Sequence, residues 1–313
     1  MIFRVIHRST LAIYFVVALA ACSQAQSEKP DYQPQVGQQG KDVIWVPTPQ
    51  ALVDRMLDMA KVTPKDYLID LGSGDGRTVI TAAKRGVKAL GIEYNPDMVE
   101  LSKRNAAKEG VAERASFMKA DLFETDFSQA TVITMFLLPD INIRLRPKIL
   151  DLKPGTRIVS NSFTMGDWTA DDTVMVKNGC ASYCTAYLWI VPAKVEGQWQ
   201  LADGELTLKQ TYQMITGALR RGGKMTPISN GKINGDQITF NAGGPVYTGR
   251  VGGNGMEGTI STGGNWQASR GTGSAPASGG GFLPNQMPVS GEEFSNTLTQ
   301  AMIAATQADG VVD

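Results

Sequence analysis

The sequence predicts a doubly wound α/β sheet followed by a small antiparallel all-β domain. Three observations carry this. First, the apolar Tyr67-Leu68-Ile69 runs into Asp70-Leu71-Gly72-Ser73-Gly74-Asp75-Gly76 and then into Arg77-Thr78-Val79-Ile80-Thr81-Ala82-Ala83, which is the order strand, glycine turn, helix. Second, strand-like and helix-like segments alternate from there to about residue 191, as a sheet covered by helices on both faces requires. Third, beyond Pro192 apolar and polar residues alternate with period two between glycine-rich turns, the pattern of antiparallel strands.

Each element has a local reason. Asp42 to Pro49 is extended and proline-stiffened, and Thr48 is positioned to cap a helix with Pro49 in its first turn. That helix, to about Ala60, puts Leu52, Met56 and Met59 on one face. The first strand is Tyr67–Leu71, and the helix after it ends near Arg85, before Gly86. The second strand closes at Glu93. Asn95-Pro96 opens a helix that stops at Gly110, and Ala115–Lys119 is the third strand. The continuous apolar run Ala130–Leu138 suits a central parallel strand buried on both faces. A helix follows over Asp140–Asp151, with Pro147 expected to bend or shorten it. Thr156–Ser162 is the next strand. Thr173–Val176 and Thr185–Val191 form an antiparallel pair around a tip at Cys180 and Cys184.

Past Pro192, Leu206, Leu208, Tyr212 and Met214 alternate with polar residues as one strand would. Further strands are expected at Gln237–Phe240, Val246–Val251, Gly255–Ile260 and Trp266–Ser269. The turns between them include Asn230-Gly231, Asn234-Gly235, Gly243-Gly244 and Gly252-Gly253. The domains expected are therefore a targeting segment (1–22), a flexible tether (23–42), the α/β domain (43–192), the β domain (193–270), and a Gly/Ser linker with a tail (271–313).

The glycine loop points to a ligand. Glycines permit positive φ and let a ligand approach bare main chain. Glu93, at the end of the next strand, is spaced to accept from two ribose hydroxyls, so the pair suits an adenosine-type cofactor. A dinucleotide loop would be G-x-G-x-x-G, whereas the glycines here stand at 72, 74 and 76, with Arg at 77. Asp70 and Asp75 would repel a pyrophosphate and suit the sulfonium and ammonium of S-adenosylmethionine. The motif D-L-G-S-G-D-G resembles motif I of the class I, seven-strand S-adenosylmethionine-dependent methyltransferases.

A finer resemblance is carried by Trp45-Val46-Pro47-Thr48, the glycine loop, Glu93-Tyr94-Asn95-Pro96, Phe136-Leu137-Leu138-Pro139 and Ser160-Asn161-Ser162-Phe163. Together they are similar to the small lysine methyltransferases related to the ATP-synthase c-subunit enzyme, over about residues 43–191. The resemblance implies a Rossmann-like seven-strand sheet and transfer of a methyl group to a protein lysine or another amine. It implies cofactor contacts from Thr48, Asp70, Gly72, Ser73, Gly74 and Glu93. At Asp121 it implies an acceptor for the adenine amino group, and at Leu122 a backbone N–H toward the ring; a turn cap is the competing role for Asp121. On the acceptor side it implies Phe136, Pro139 and Asp140, with the N-cap of the following helix as the alternative role for Asp140. The Asn/Asp-Pro-Pro-Tyr motif of methyltransferases acting on bases is not at 136–139.

Composition narrows the function further. Thirty basic and thirty acidic residues cancel, which gives no electrostatic case for a nucleic-acid partner. The single histidine is His7, so a His general base or a Ser-His-Asp triad is unavailable to the chain beyond the leader. Arg4 and Arg8 precede an apolar run, Leu11 to Ala21, too short to span a bilayer. It ends Leu19-Ala20-Ala21-Cys22-Ser23, which resembles a bacterial lipobox. That resemblance implies lipid at Cys22 and a membrane anchor on the periplasmic side, with Ser23 favouring the outer membrane. In an exported chain Cys180 and Cys184 are expected to form a disulfide, since zinc would need two further ligands. Two other readings stay open here: an envelope lipoprotein using the fold as a non-catalytic scaffold, and a nucleotide-dependent oxidoreductase, which the glycine spacing disfavours.

Overall fold

The computed structural model describes residues 32–271. The expected leader with the lipid site at Cys22, residues 23–31 of the expected tether, and the Gly/Ser linker and tail from residue 272 on lie outside the described residues.

The α/β domain opens with α1 (Gln50–Met59), β1 (Tyr67–Leu71), α2 (Arg77–Lys84), β2 (Lys88–Glu93), α3 (Pro96–Lys108) and β3 (Ala115–Lys119). It continues with β4 (Val132–Met135), α4 (Pro139–Leu150), β5 (Arg157–Asn161), β6 (Asp172–Met175) and β7 (Thr185–Ile190). The seven strands form one sheet in the order β3-β2-β1-β4-β5-β7-β6. β1 pairs in parallel with β2 and β4, and β7 runs antiparallel between β5 and β6. The order reverses between β1 and β4, the place where open α/β sheets leave a crevice at the carboxyl ends of their strands.

Successive strand residues face opposite sides, so the sheet has two cores. Leu68 and Val132 pack with Leu52, Val79 and Val99 on one face. Ile69 and Ile133 pack with Leu145, Trp168 and Trp189 on the other. The 130–138 run yields only four strand residues. The apolar Leu137 and Leu138 that follow are buried instead where the chain turns into α4. α4 passes through Pro147 without ending. Thr48 does not cap α1: Pro49 holds the cap position, no side-chain cap bond forms, and the Thr48 hydroxyl accepts from Asn161 at 3.3 Å.

Part of the expected tether is structured. Residues 37–45 form a small hairpin, with Gly37 N–H donating to Trp45 O, Trp45 N–H to Gln38 O, and Gly40 N–H to Val43 O, each at 2.9 Å. The Gln- and Gly-rich first half of this strap gives no strand signal, because its cross-pairing is main chain to main chain.

The second part is a closed eight-stranded antiparallel barrel. Its strands are β8 (Gly197–Leu201), β9 (Gly204–Thr211), β10 (Met214–Arg221), β11 (Lys224–Asn234), β12 (Gln237–Ala242), β13 (Val246–Gly252), β14 (Gly255–Ile260) and β15 (Asn265–Arg270). Trp199, Phe240, Tyr247 and Trp266 help to fill its interior. The alternation over 206–214 is not one strand. It breaks at Tyr212, where φ is 54°, and the chain folds back as β10. Asn230-Gly231 is not a turn either: it lies inside β11, at a register shift opposite both neighbouring strands.

The barrel is fastened to the sheet domain by polar contacts and a ring stack around the buried Trp168 and Gln213. The Trp168 indole N–H donates to Gln213 Oε1 at 2.9 Å, and Gln213 Nε2 donates to Thr169 O at 2.8 Å. Tyr212 stacks on Trp168 with ring centres 5.7 Å apart, and its hydroxyl donates to Asp167 at 2.9 Å.

Candidate active site

The loop between β1 and α2 is held from behind and left bare in front. Gly72 N–H donates to Ile92 O at 2.9 Å, tying the loop to β2. From α3, the buried Ser102 hydroxyl donates to Gly74 O at 2.9 Å, and Asn105 Nδ2 donates to Asp75 O at 3.0 Å. Gly72 and Gly74 have φ of 78° and 53°, left-handed conformations that side chains disfavour. A Cβ on Gly74 would meet the Trp45 indole nitrogen at 2.7 Å, so the strap lies directly on the loop.

Glu93 reaches this loop. One carboxylate oxygen accepts from Gly74 N–H and the other from Asn95 N–H, each at 2.9 Å. The side chain is thus locked at the rim of a cavity that Asp70, Gly72, Ser73, Gly74, Thr48 and Leu122 also line. Ser73 contributes main chain only. Among the described residues its buried hydroxyl has no hydrogen-bond partner, and it points at β2, where a Cβ on Gly91 would lie 2.5 Å away.

The charges resolve differently from a simple count of acids. Asp75 is neutralised by Arg77, whose guanidinium pairs with it at 2.6 Å and also donates to Thr48 O at 2.9 Å. Asp70 has no cationic partner among the described residues. It is buried, and it accepts the Thr134 hydroxyl at 2.6 Å. Burial pushes its carboxyl up to about 7 against that hydrogen bond, and the charges of Glu93 and Asp75 push the same way. A buried carboxylate short of a positive charge, beside a cradle of glycine main chain, fits a cationic nucleoside. The residues present therefore suit S-adenosylmethionine.

Three expectations need correction. Asp121 does not line the cavity. Its oxygens are engaged by Phe123 N–H at 2.9 Å and by Lys41 at 3.2 Å, so it acts as a turn cap and a latch for the strap. The Phe123 amide, with Lys41 adding, holds its carboxyl below the usual range. Asp140 is neither the cap of α4 nor a cavity residue: Leu138 is the cap, and Asp140 is exposed in the first turn. Pro139 occupies the first position of α4, outside the cavity lining. Of the three acceptor-side candidates only Phe136 lines the cavity, because α4 begins at Pro139 and carries the next residue out to solvent.

The structure also gives contacts to two residues that the motifs contained without a cofactor role. Asn95 supplies the second amide to Glu93, and Trp45 covers Gly74. Cys180 and Cys184 are bonded, with α-carbons 5.7 Å apart. Their loop brings Tyr183 to within 5.3 Å of Phe136, ring centre to ring centre.

Comparison with known proteins agrees with this geometry. The ANTKMT methyltransferase domain family matches residues 70–172. A protein-lysine N-methyltransferase of Saccharolobus islandicus is 45% identical over 152 residues, covering 48% of this chain and 94% of that enzyme. The ATP synthase c-subunit lysine N-methyltransferase of Rattus norvegicus is 36% identical over 130 residues, covering 41% of this chain and 60% of its own length. A solved Salinibacter ruber protein, titled an RNA methyltransferase in complex with S-adenosyl-L-homocysteine, is 47% identical. It covers 48% of this chain and 96% of its own, with a TM-score of 0.45. The glycine cradle, the carboxylate that grips it and the Saccharolobus islandicus enzyme, matched over nearly its whole length, converge: the chain belongs to that enzyme's family of S-adenosylmethionine-dependent methyltransferases, with an ANTKMT methyltransferase domain match over residues 70–172.

Proposed function

We propose that this enzyme methylates the side-chain amine of a protein lysine, working from a lipid anchor at Cys22 on the periplasmic side of a bacterial membrane. The observation that carries the acceptor class is the 45% identity to a protein-lysine N-methyltransferase across 94% of that enzyme. The lipobox-like Leu19-Ala20-Ala21-Cys22 supports the anchor, and Ser23 after it favours the outer membrane.

In this reading the main chain of Gly72, Ser73 and Gly74 carries the amino-acid end of the cofactor, Glu93 the ribose and Leu122 the adenine side. Asp70 balances positive charge. When bound, the cofactor supplies a methyl group on a positively charged sulfur, already activated for in-line attack. The chain's own task is to deliver a neutral amine in line with it. A free lysine holds its proton to about pH 10.4. Phe136, Leu137 and Trp45 form apolar walls of the cavity, and such walls lower an amine's pKa by withholding water. Asp140 faces solvent, so the proton leaves to water at the rim rather than to a built-in base.

The test is to incubate the full chain with tritiated S-adenosylmethionine and bacterial envelope proteins, then locate the label by mass spectrometry. Label on lysine Nε is the expected result; label on RNA, or on oxygen or carbon atoms of protein, overturns the acceptor assignment. Mass spectrometry of the membrane-bound protein should find diacylglyceryl at Cys22, and Cys22→Ala should release the chain from the membrane. An unmodified Cys22 overturns the anchor.

A further inference from the structure

Three aromatic rings from three different segments meet beside the cofactor cavity. Phe136 follows β4 and lines the cavity. Phe163 follows β5, and Tyr183 sits in the loop between β6 and β7. Their ring centres lie 5.3 to 6.3 Å apart, with Phe136 and Phe163 stacked and Tyr183 tilted against both. All three are half-buried, so the cluster is a wall with an open face rather than a sealed core.

The backbone is arranged to hold this cluster. Ser162, just before Phe163, has φ 59°, and Tyr183 has φ 55°. Left-handed conformations are costly for residues with a Cβ, and they persist where the surroundings over-determine them. For Ser162 the surroundings are the hydrogen bonds that its N–H donates to Thr185 O at 2.7 Å and its hydroxyl to Asn161 Oδ1 at 2.8 Å. For Tyr183 they are the Cys180–Cys184 disulfide, which closes the loop across it, and the bond from Val176 N–H to Cys184 O at 2.9 Å. The loop also leans on α1: a Cβ on Gly179 would meet Ala51 at 3.3 Å. Among the described residues no hydrogen bond engages the Tyr183 hydroxyl, so the ring is not there to anchor a polar contact. Burial raises its pKa, which keeps the ring neutral.

We propose that the Phe136–Phe163–Tyr183 cluster binds the alkylammonium side chain of the acceptor, and that the Cys180–Cys184 disulfide makes Tyr183 a specificity-determining residue by holding its ring in the cluster. Aromatic faces attract ammonium groups, and the attraction grows as water is excluded. Ring edges and faces also pack on the four-carbon stem of a lysine. The cluster adjoins the cavity through Phe136, so the acceptor docks on it as the ammonium and gives up its proton to water on passing to the drier wall beside the cofactor site. Reduction of the disulfide frees the loop, and the left-handed Tyr183 then has no covalent reason to stay. This inference rests on the amine acceptor proposed above.

The test separates the two. The full chain, saturated with S-adenosylhomocysteine, is titrated with n-butylammonium as a lysine side-chain probe, with binding followed by saturation-transfer NMR. Tyr183→Gly, which relieves the backbone while removing the ring, should weaken probe binding about fivefold or more. Protein with the disulfide reduced, and the Cys180→Ser/Cys184→Ser variant, should show the same loss. Tyr183→Phe should stay within about twofold of wild type, and S-adenosylhomocysteine affinity should be unchanged throughout. With poly-L-lysine as acceptor, the loss should fall on KM and leave kcat alone. Equal probe binding in all variants, no probe binding to wild type, or a loss confined to kcat overturns the inference. Failure to label any lysine, with probe binding behaving as expected, removes the proposed acceptor but leaves the amine site standing.

Discussion

Glu93 and Gly74 stand nineteen residues apart and are joined by a 2.9 Å hydrogen bond from the Gly74 amide to the Glu93 carboxylate. The bond links the end of β2 to the crest of the loop after β1, and Asn95 N–H locks the other oxygen. Hydrogen bonds to a charged acceptor contribute about 1.5–3 kcal/mol each. Glu93→Gln keeps the size but offers only one acceptor oxygen and no charge. Its Kd for S-adenosylhomocysteine should rise about 10- to 100-fold by calorimetry, following that energy range. An affinity within twofold of wild type would show that Glu93 is not part of the cofactor site.

Asp70 makes cofactor binding pH-dependent. Its carboxyl is raised from 3.8 to about 7, so below pH 7 it is mostly protonated. A cationic ligand favours the ionised form, and binding therefore expels a proton. Affinity should tighten as pH rises from 6 to 7, by at most about tenfold per unit, and level off above pH 8. Asp70→Asn should bind weakly with a flat profile. The ligand-free protein should show the opposite trend in stability. A raised carboxyl pKa favours the fold fully below about pH 4, and that contribution is lost as pH rises through 7. Thermal melts of wild type and Asp70→Asn between pH 5 and 8 check the sign; parallel curves would rule it out.

Gly74→Ala tests the strap. The new Cβ would sit 2.7 Å from the Trp45 indole nitrogen at a residue with φ 53°. Left-handed strain alone costs about 1–3 kcal/mol. The variant should be less stable and should be cut faster by protease within residues 37–45. Adding Trp45→Ala should recover the steric part but not the backbone part, so the two changes will be non-additive. Strict additivity would mean that Trp45 does not rest on the loop.

Gln213→Ala tests the fastening of the barrel. Gln213 is buried and joins Trp168 to Thr169 through both ends of its amide. Removing it strands a buried indole N–H, at about 1–3 kcal/mol. Calorimetry should show one transition for wild type and a broadened or split one for the variant, as the barrel uncouples from the sheet domain. An unaltered melting profile would assign the coupling elsewhere.

The sheet was legible wherever one residue does one local thing. Glycines at 72, 74 and 76 mark the turn, Asn95-Pro96 opens α3 with the Asn95 side chain capping Asp97 N–H, and Gly86 and Gly110 end their helices. Glu93 was legible because its place at a strand end sets where it points. The barrel was less so. Tyr212 and Asn230 take left-handed conformations without being glycine, so a turn passed for strand and a bulge for a turn.

The sequence by itself determined the family, the cofactor loop and the alternation of strands and helices, because these rest on backbone preferences acting over a few residues. Only the tertiary structure decided which acids are free. Asp75 is spent on Arg77 and Asp121 on Lys41, while Asp70 is left buried without a cation among the described residues. It also decided that residues 37–45 fold into a strap over the loop, and that Phe136, Phe163 and Tyr183 share one wall. The Asp121–Lys41 pair, the burial of Asp70 and the ring packing depend on distances between segments far apart in the chain, and those distances are set by the tertiary fold.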